Sequence, residues 1–429
     1  MKRKILVLGI INIFLFAGFV SADSICIKNI DDIKGVSGFS KTWIVDDEGD
    51  GDFTEIQTAI DNDALNEGDL ILVYSGRYSS VDISGHHKEG LRIEGISEEL
   101  GEGDDTGKPV TSIYMENCYG NKIYNINLRY FSIRGCNNIE FYNNEICTPA
   151  VAVILTDSHY NKIYSNEISY SDLPSDTYAE MPSGFVLDLS NNNEINDNTF
   201  YDFDVLMRNS NNNTFKCNVM ETTKTVGGGN FDMDDSYYNK IIDNIINADI
   251  EMWDCDNNDI RGNTVQKDAG IWLDSSCSNT IVGNTVKDSC YGIILQFACD
   301  SNLIYHNNIM DLELVDPGAS YTFDDGNSNT WYNSTLKQGN YYDCYEKWHR
   351  DKYGTHPTPS DDGVTWDTPY IITDYTPYDD SDNLRDNYPL IKPYGKSKSR
   401  SVTFYPRILE KLQLLFPDIF QQLQLLLAF

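Results

Sequence analysis

One spacing, Asn-x-Ile-x-x-Asn-x-Ile, recurs through the middle of the chain. It fills Asn161-Ile163-Asn166-Ile168 and Asn239-Ile241-Asn244-Ile246, and with a final Val it fills Asn258-Ile260-Asn263-Val265 and Asn279-Ile281-Asn284-Val286. Extended backward, the unit reads apolar-x-apolar-x-x-(Ser/Cys)-x-x-Asn-x-apolar-x-x-Asn-x-apolar. Phe185, Leu187, Ser190, Asn193, Ile195, Asn198 and Phe200 fill it, as do Val205, Met207, Ser210, Asn213, Phe215, Asn218 and Met220. Two earlier copies are looser. One has Cys118 and Asn121 but no second Asn; the next has Cys136 and Asn144 but Ile139 in place of the first Asn. A later copy places Ile293, Leu295 and Ala298 before a one-residue shift that leads to Asn302. Short runs of alternating apolar residues make strands with one buried face. Two such strands cannot bury that face alone, but stacked coils can. The repeat therefore predicts an all-β parallel solenoid, each coil about 4.8 Å above the last.

Stacking also explains the residue types. A buried Asn amide pairs with the Asn of the next coil, forming a ladder, and Asn tolerates the left-handed backbone of a tight corner. Cys118, Cys136, Ser158, Ser190, Ser210, Ser236, Cys255 and Ser276 share one small-residue slot. The cysteines thus read mainly as small buried side chains, with a Cys118–Cys136 disulfide between neighbouring coils as the alternative.

The 429 residues carry a net charge of -34. Such a charge opposes nucleic acid, whose phosphates need basic patches, and suits a soluble protein facing a saline exterior. Lys2-Arg3-Lys4, the apolar run Ile5 to Val20 and the small residues Val20-Ser21-Ala22 together read as a signal peptide over 1–22. A retained membrane anchor is the other reading. Cleavage near Ala22 gives a secreted or cell-surface protein.

The repeat resembles right-handed parallel β-helices of the pectin-lyase-like superfamily. The similarity is to NosD-type and carbohydrate-binding/sugar-hydrolase repeat proteins of archaeal surfaces, and it spans 42 to 393. "TWIVDDEGDGDFTEIQTAIDNDALNEGDLILVYSGRY" (Thr42 to Tyr78) resembles the superfamily's opening, with a capping helix around Ile56 to Leu65. "GNYYDC" and "DGVTWDTPYII…DNYPLIKP" resemble the NosD-type closing segment. The aspartate-glycine turn expected before "DTPY" is degraded to Ser360-Asp361-Asp362-Gly363. The expected organisation is a signal peptide over 1–22, a β-helix over 40–350, a C-terminal cap over 351–395, and a linker with an amphipathic helical tail over 396–429. Pro417 divides the tail, whose Ile408, Leu412 and Leu415 share one face and Ile419, Leu423 and Leu426 another. Such a tail docks on a membrane surface or a protein partner, or folds back on the solenoid.

Alternation also identifies the outward residues. One outward row runs Asp188, Arg208, Asp234, Trp253, Asp274; the row before it includes Asp232, Glu251 and Trp272. Sugar rings stack on aromatic faces, and carboxylates hold hydroxyls, calcium or a transferable proton. Insertions at Ser169 to Ser183 and Glu221 to Gly229, separated by Tyr201 and Asp202, would wall a groove beside this patch. The resemblance implies two chemistries. Lyases of this superfamily use acidic calcium ligands and a basic proton acceptor, parts open to Asp188, Asp234 and Arg208. Hydrolases use paired aspartates, and Asp188 and Asp234 lie two coils apart, near the upper limit for an inverting pair. The sugar-binding candidates are Tyr201, Asp202, Asp232, Glu251, Trp253, Trp272 and Asp274. No family catalytic motif surrounds them, and a solvated acidic face explains the carboxylates equally. The expectation is a glycan- or envelope-binding surface protein, with a lyase, epimerase or hydrolase as the alternative. A copper protein is a further alternative, which the NosD resemblance suggests; its soft donors near the end are Cys344, His349 and His356, with His86-His87 earlier. Asn212-Asn213-Thr214 and Asn333-Ser334-Thr335 are glycosylation sequons suited to export.

Overall fold

The computed structural model describes residues 41–84, 89–97, 107–148, 151–170, 183–222, 229–289, 291–311, 322–326, 328–372 and 384–395. The 1–22 segment and the 396–429 tail lie outside them. So do His86 and His87, and most of the two insertions proposed as groove walls.

The chain winds as a parallel β-solenoid. Each coil contributes three short strands, such as Ser183–Asp188, Glu194–Asn196 and Thr199–Tyr201. The second strands stack into a 12-stranded sheet, while the first and third strands join in a 20-stranded one. Register is kept residue by residue. Inward positions of the 12-stranded sheet align Ile163, Ile195, Phe215, Ile241, Ile260, Ile281 and Ile304 in one buried column. All of them are at most 1 % exposed. Aromatic members interlock across the core: Phe131 stacks on Phe141 at 3.9 Å, and Phe215 meets Phe231 edge-on at 4.9 Å.

The asparagine ladders form, with one difference from expectation. In the ladder Asn166, Asn198, Asn218, Asn244, Asn263, Asn284, Asn307, each Oδ1 accepts the backbone N–H of the Asn below it. Most rungs add an amide-to-amide bond, such as Asn244 Nδ2 to Asn263 Oδ1 at 2.9 Å. Each Nδ2 also reaches a main-chain carbonyl, as Asn263 does to Ile241 O at 2.7 Å. The other ladder, through Asn161, Asn193, Asn213, Asn239 and Asn258, keeps the N–H to Oδ1 bond at each of these steps. The left-handed backbone sits one residue earlier than the ladder Asn. Tyr160, Asn192, Asn212, Tyr238 and Asn257 precede one ladder and Ser165, Asp197, Cys217 and Asp243 the other, all at positive φ. The ladder residue itself must keep its side chain inward and its N–H along the axis, so the corner is turned just before it.

The small-residue slot repeats this logic. Ser190 Oγ accepts the N–H of Ser158, Ser210 Oγ that of Ser190, and Cys255 Sγ that of Ser236. In the shifted copy the slot holds Cys299, whose Sγ accepts the Ser276 N–H, and not Ala298. Phe297 and Ala298 both take positive φ, absorbing the extra residue at the corner. The Cys118 and Cys136 side chains are free thiols here.

A short helix, α1 (Ile56–Ile60), buries Ile56, Ala59 and Ile60 at the first coil. At the other end α2 (Tyr345–Tyr353) buries Tyr345 and His349, and Tyr345 stacks on Trp366 at 5.4 Å. Among the described residues no helix is long and apolar enough to cross a membrane.

Candidate functional site

Six consecutive first strands expose a grid on one face of the solenoid. Sheet pairing aligns Asp188, Arg208, Asp234, Trp253, Asp274 and Gln296 in one outward row. It aligns Leu206, Asp232, Glu251, Trp272 and Ile294 in the next. Both rows match the alternation of the sequence. A third outward position, two residues before the second row, holds Asp204, Asn230, Asp249 and Gly270. Sequence reasoning stopped one alternation short and missed it, although the same period-two rule reaches it. Tyr201 and Asp202 stand apart from the grid. Tyr201 pairs with Ser169 and Glu221 on the neighbouring face, and Asp202 turns the corner at φ 58.

Asp232 lies at the centre. Burial, then the charges of Glu251, Asp204 and Asp249, push its carboxyl up to about 7, against a smaller opposing pull from Arg208. Its Oδ1 is buried without a hydrogen-bond partner among the described residues. Burial also raises Glu251, with Asp249 and Asp204 adding to the effect. Asp204 and Asp249 are raised by burial but partly compensated by main-chain donors. Gly229 and Asn230 N–H both donate to Asp204 Oδ1, at 2.8 and 3.0 Å, and Gly270 N–H donates to Asp249 Oδ1 at 2.6 Å. Asn230 Nδ2 holds Glu251 Oε1 at 3.1 Å. Four carboxyls thus share one poorly solvated patch, and a proton at Asp232 relieves their repulsion. The aromatic side of the grid begins one coil on. Trp272 lies beside Glu251 in register and 5.9 Å from the ring of Tyr291, and Trp253 is 40 % exposed.

The pairing places Arg208 between Asp188 and Asp234. Among the described residues, no three His, Cys, Asp or Glu side chains are grouped to hold a metal ion.

Residues 173–347, about two-fifths of the chain, match the family model described as "Periplasmic copper-binding protein (NosD)". No curated protein matches the chain. Among solved structures, a GH136 lacto-N-biosidase from Eubacterium ramulus is similar at 12% identity and TM-score 0.41, covering 67% of each chain. The A-module of the Azotobacter vinelandii mannuronan C-5 epimerase AlgE6 is similar at 14% identity and TM-score 0.37, over 64% of this chain and 94% of that one. PfbA, a surface adhesin of Streptococcus pneumoniae, is similar at 13% identity and TM-score 0.32, over 65% and 88%.

Copper would need soft donors that converge. Several of the described ones are engaged elsewhere. Cys255 and Cys299 are buried in the corner slot, where burial pushes both thiols up to about 12. Cys344 is likewise raised to about 12 by burial beside Tyr370. His306 stacks on Tyr394 at 3.6 Å and bonds Gln338, and His349 Nδ1 meets the Thr355 carbonyl. Met207, Met233 and Met252 line the core, at most 1 % exposed. These donors do not converge on one site; His356 and Cys147 are exposed elsewhere, and His86 and His87 lie outside the described residues.

Proposed function

We propose that the chain is an exported surface β-helix that binds a polysaccharide on the face running from Asp188 to Asp274. The observation that carries this reading is the row Asp232, Glu251, Trp272, in which half-buried carboxyls adjoin an aromatic pair. Carboxyls accept sugar hydroxyls, and indole and phenol rings cover the apolar faces of pyranoses. Rows that repeat about every 4.8 Å suit an extended polymer, because successive coils offer successive contacts. The basic and apolar segment over 1–22 supports export.

The test is retention of soluble polysaccharides by the full chain, read together with the release of new reducing or unsaturated ends. Trp272→Ala should weaken retention by about tenfold or more, and a chelator should leave it unchanged. Retention that ignores Trp272→Ala, or no retention of any glycan, overturns the proposal.

The position of Asp232 favours a second reading, hydrolysis at the same face. A carboxyl poised near 7 donates a proton at neutral pH, and Glu251 on the adjacent coil supplies a carboxylate. A coil spacing of about 4.8 Å lies near the separation of a retaining pair. New ends that vanish in Asp232→Asn and in Glu251→Gln would establish it; binding without new ends excludes it.

A further inference from the structure

We propose that Cys118 and Cys136 form a disulfide that staples two consecutive coils where the asparagine ladders are incomplete. Both cysteines fill the small-residue slot, one coil apart, and the Cys118 N–H points at Cys136 Sγ at 3.3 Å. Coils about 4.8 Å apart place the two Cα atoms within disulfide range. Among the described residues they are the one pair of cysteines that follow each other directly in this slot. Cys255 lies between Ser236 and Ser276, and Cys299 stacks on Ser276, so Cys255 and Cys299 are separated by a full coil and are out of reach.

The location supplies the second argument. From the Cys136 coil to the Asn340 coil each boundary pairs asparagines in at least one ladder, whereas the coil before Asn121 carries Leu91 and Ile96 at those places. Between these two coils neither position pairs two of them, since Asn121 meets Ile139 and Ile126 meets Asn144. What survives is the Asn144 side chain, whose Oδ1 accepts the Ile126 N–H and whose Nδ2 donates to Ile123 O. The sulfur of Cys118 now faces the Ile83 carbonyl at 3.8 Å, so forming the bond requires a turn about χ1 toward Cys136. Both side chains are nearly enclosed, at 6 % and 0 % exposure, which dates the reaction to folding, before the corner closes. The chemistry is thiol–disulfide exchange with a small external disulfide. One Cys thiolate attacks it and expels a thiolate, and the second Cys thiolate then displaces the remaining half. Two protein thiols become one Sγ–Sγ bond, and the external disulfide is reduced to two thiols.

The experiment refolds the full chain in a glutathione redox buffer, traps residual thiols under denaturing conditions, and maps the peptides by mass. The expected product is a Cys118–Cys136 cross-linked peptide, lighter by two hydrogen atoms than the reduced pair, together with free Cys255 and Cys299. Its Tm should exceed that of the reduced chain by several degrees. Cys118→Ser and Cys136→Ser, which place in the slot the residue it holds in other coils, should fold and lose that gain. Alkylation of Cys118 and Cys136 in the refolded chain, or their pairing with other cysteines, overturns the proposal.

Discussion

At the residue scale, the asparagines hold the coils in register. Asn263 accepts the N–H and Nδ2 of Asn244 through one oxygen and donates to Ile241 O and Asn284 Oδ1. Removing that amide strands buried donors on one side and acceptors on the other. Asn263→Ala should therefore cost about 3 kcal/mol, with the loss read by urea denaturation. An effect below about 1 kcal/mol would mean that the ladder is decorative. The spacing in the sequence announced this role. It did not announce which residue turns the corner. Side-chain chemistry made Asn the natural left-handed residue, yet Tyr160, Leu189, Tyr238 and Phe297 occupy such positions, because the neighbouring small residue or Asn must face inward.

At the scale of elements, the last coil shows how a solenoid ends. Asn340 closes one ladder, and Asp386 takes the place of the Asn that would follow. Its Oδ2 accepts the Asn340 N–H at 2.6 Å and Nδ2 at 3.4 Å, and its Oδ1 accepts the Tyr388 N–H at 3.0 Å. Gly339 is needed there, since a side chain would collide with the Asp386 carboxyl. Asp386→Ala removes the acceptor for two buried donors and a half-buried one, and about 3 kcal/mol of stability should go with it. Native-state hydrogen exchange should show the loss concentrated in the final coils, because each coil touches only its neighbours. Uniform loss of protection along the solenoid would contradict that picture. The closing segment was recognisable in the sequence by resemblance, but its use of a carboxylate as the final rung was not, because Asp386 is distant in sequence from every repeat.

At the scale of the whole molecule, acidity shapes the response to pH. Asp232 and Asp386 are raised to about 7 and Asp324 to about 6, each chiefly by burial. These carboxyls bind protons more tightly folded than unfolded, where they titrate near 3.8. Stability is then greatest below the unfolded value and is lost as pH rises toward 7. Calorimetry should find Tm rising as pH falls from 7.5 to about 5, and Asp232→Asn should flatten part of that slope and raise Tm at neutral pH. A Tm that falls over the same range would refute the assignment. The repeat by itself determined the solenoid, its register, its buried columns and two of the three outward rows, because period-two alternation and a fixed coil length leave one way to bury the apolar face. Only the tertiary structure decided which carboxyls share a site. Asp204, Asp232, Asp249 and Glu251 are spread along the chain as ordinary acidic residues. Alternation already set Arg208 between Asp188 and Asp234 and Asp232 beside Glu251; the joining of Asp204 and Asp249, the common burial and the repulsion of the four carboxyls arise only when the coils are stacked.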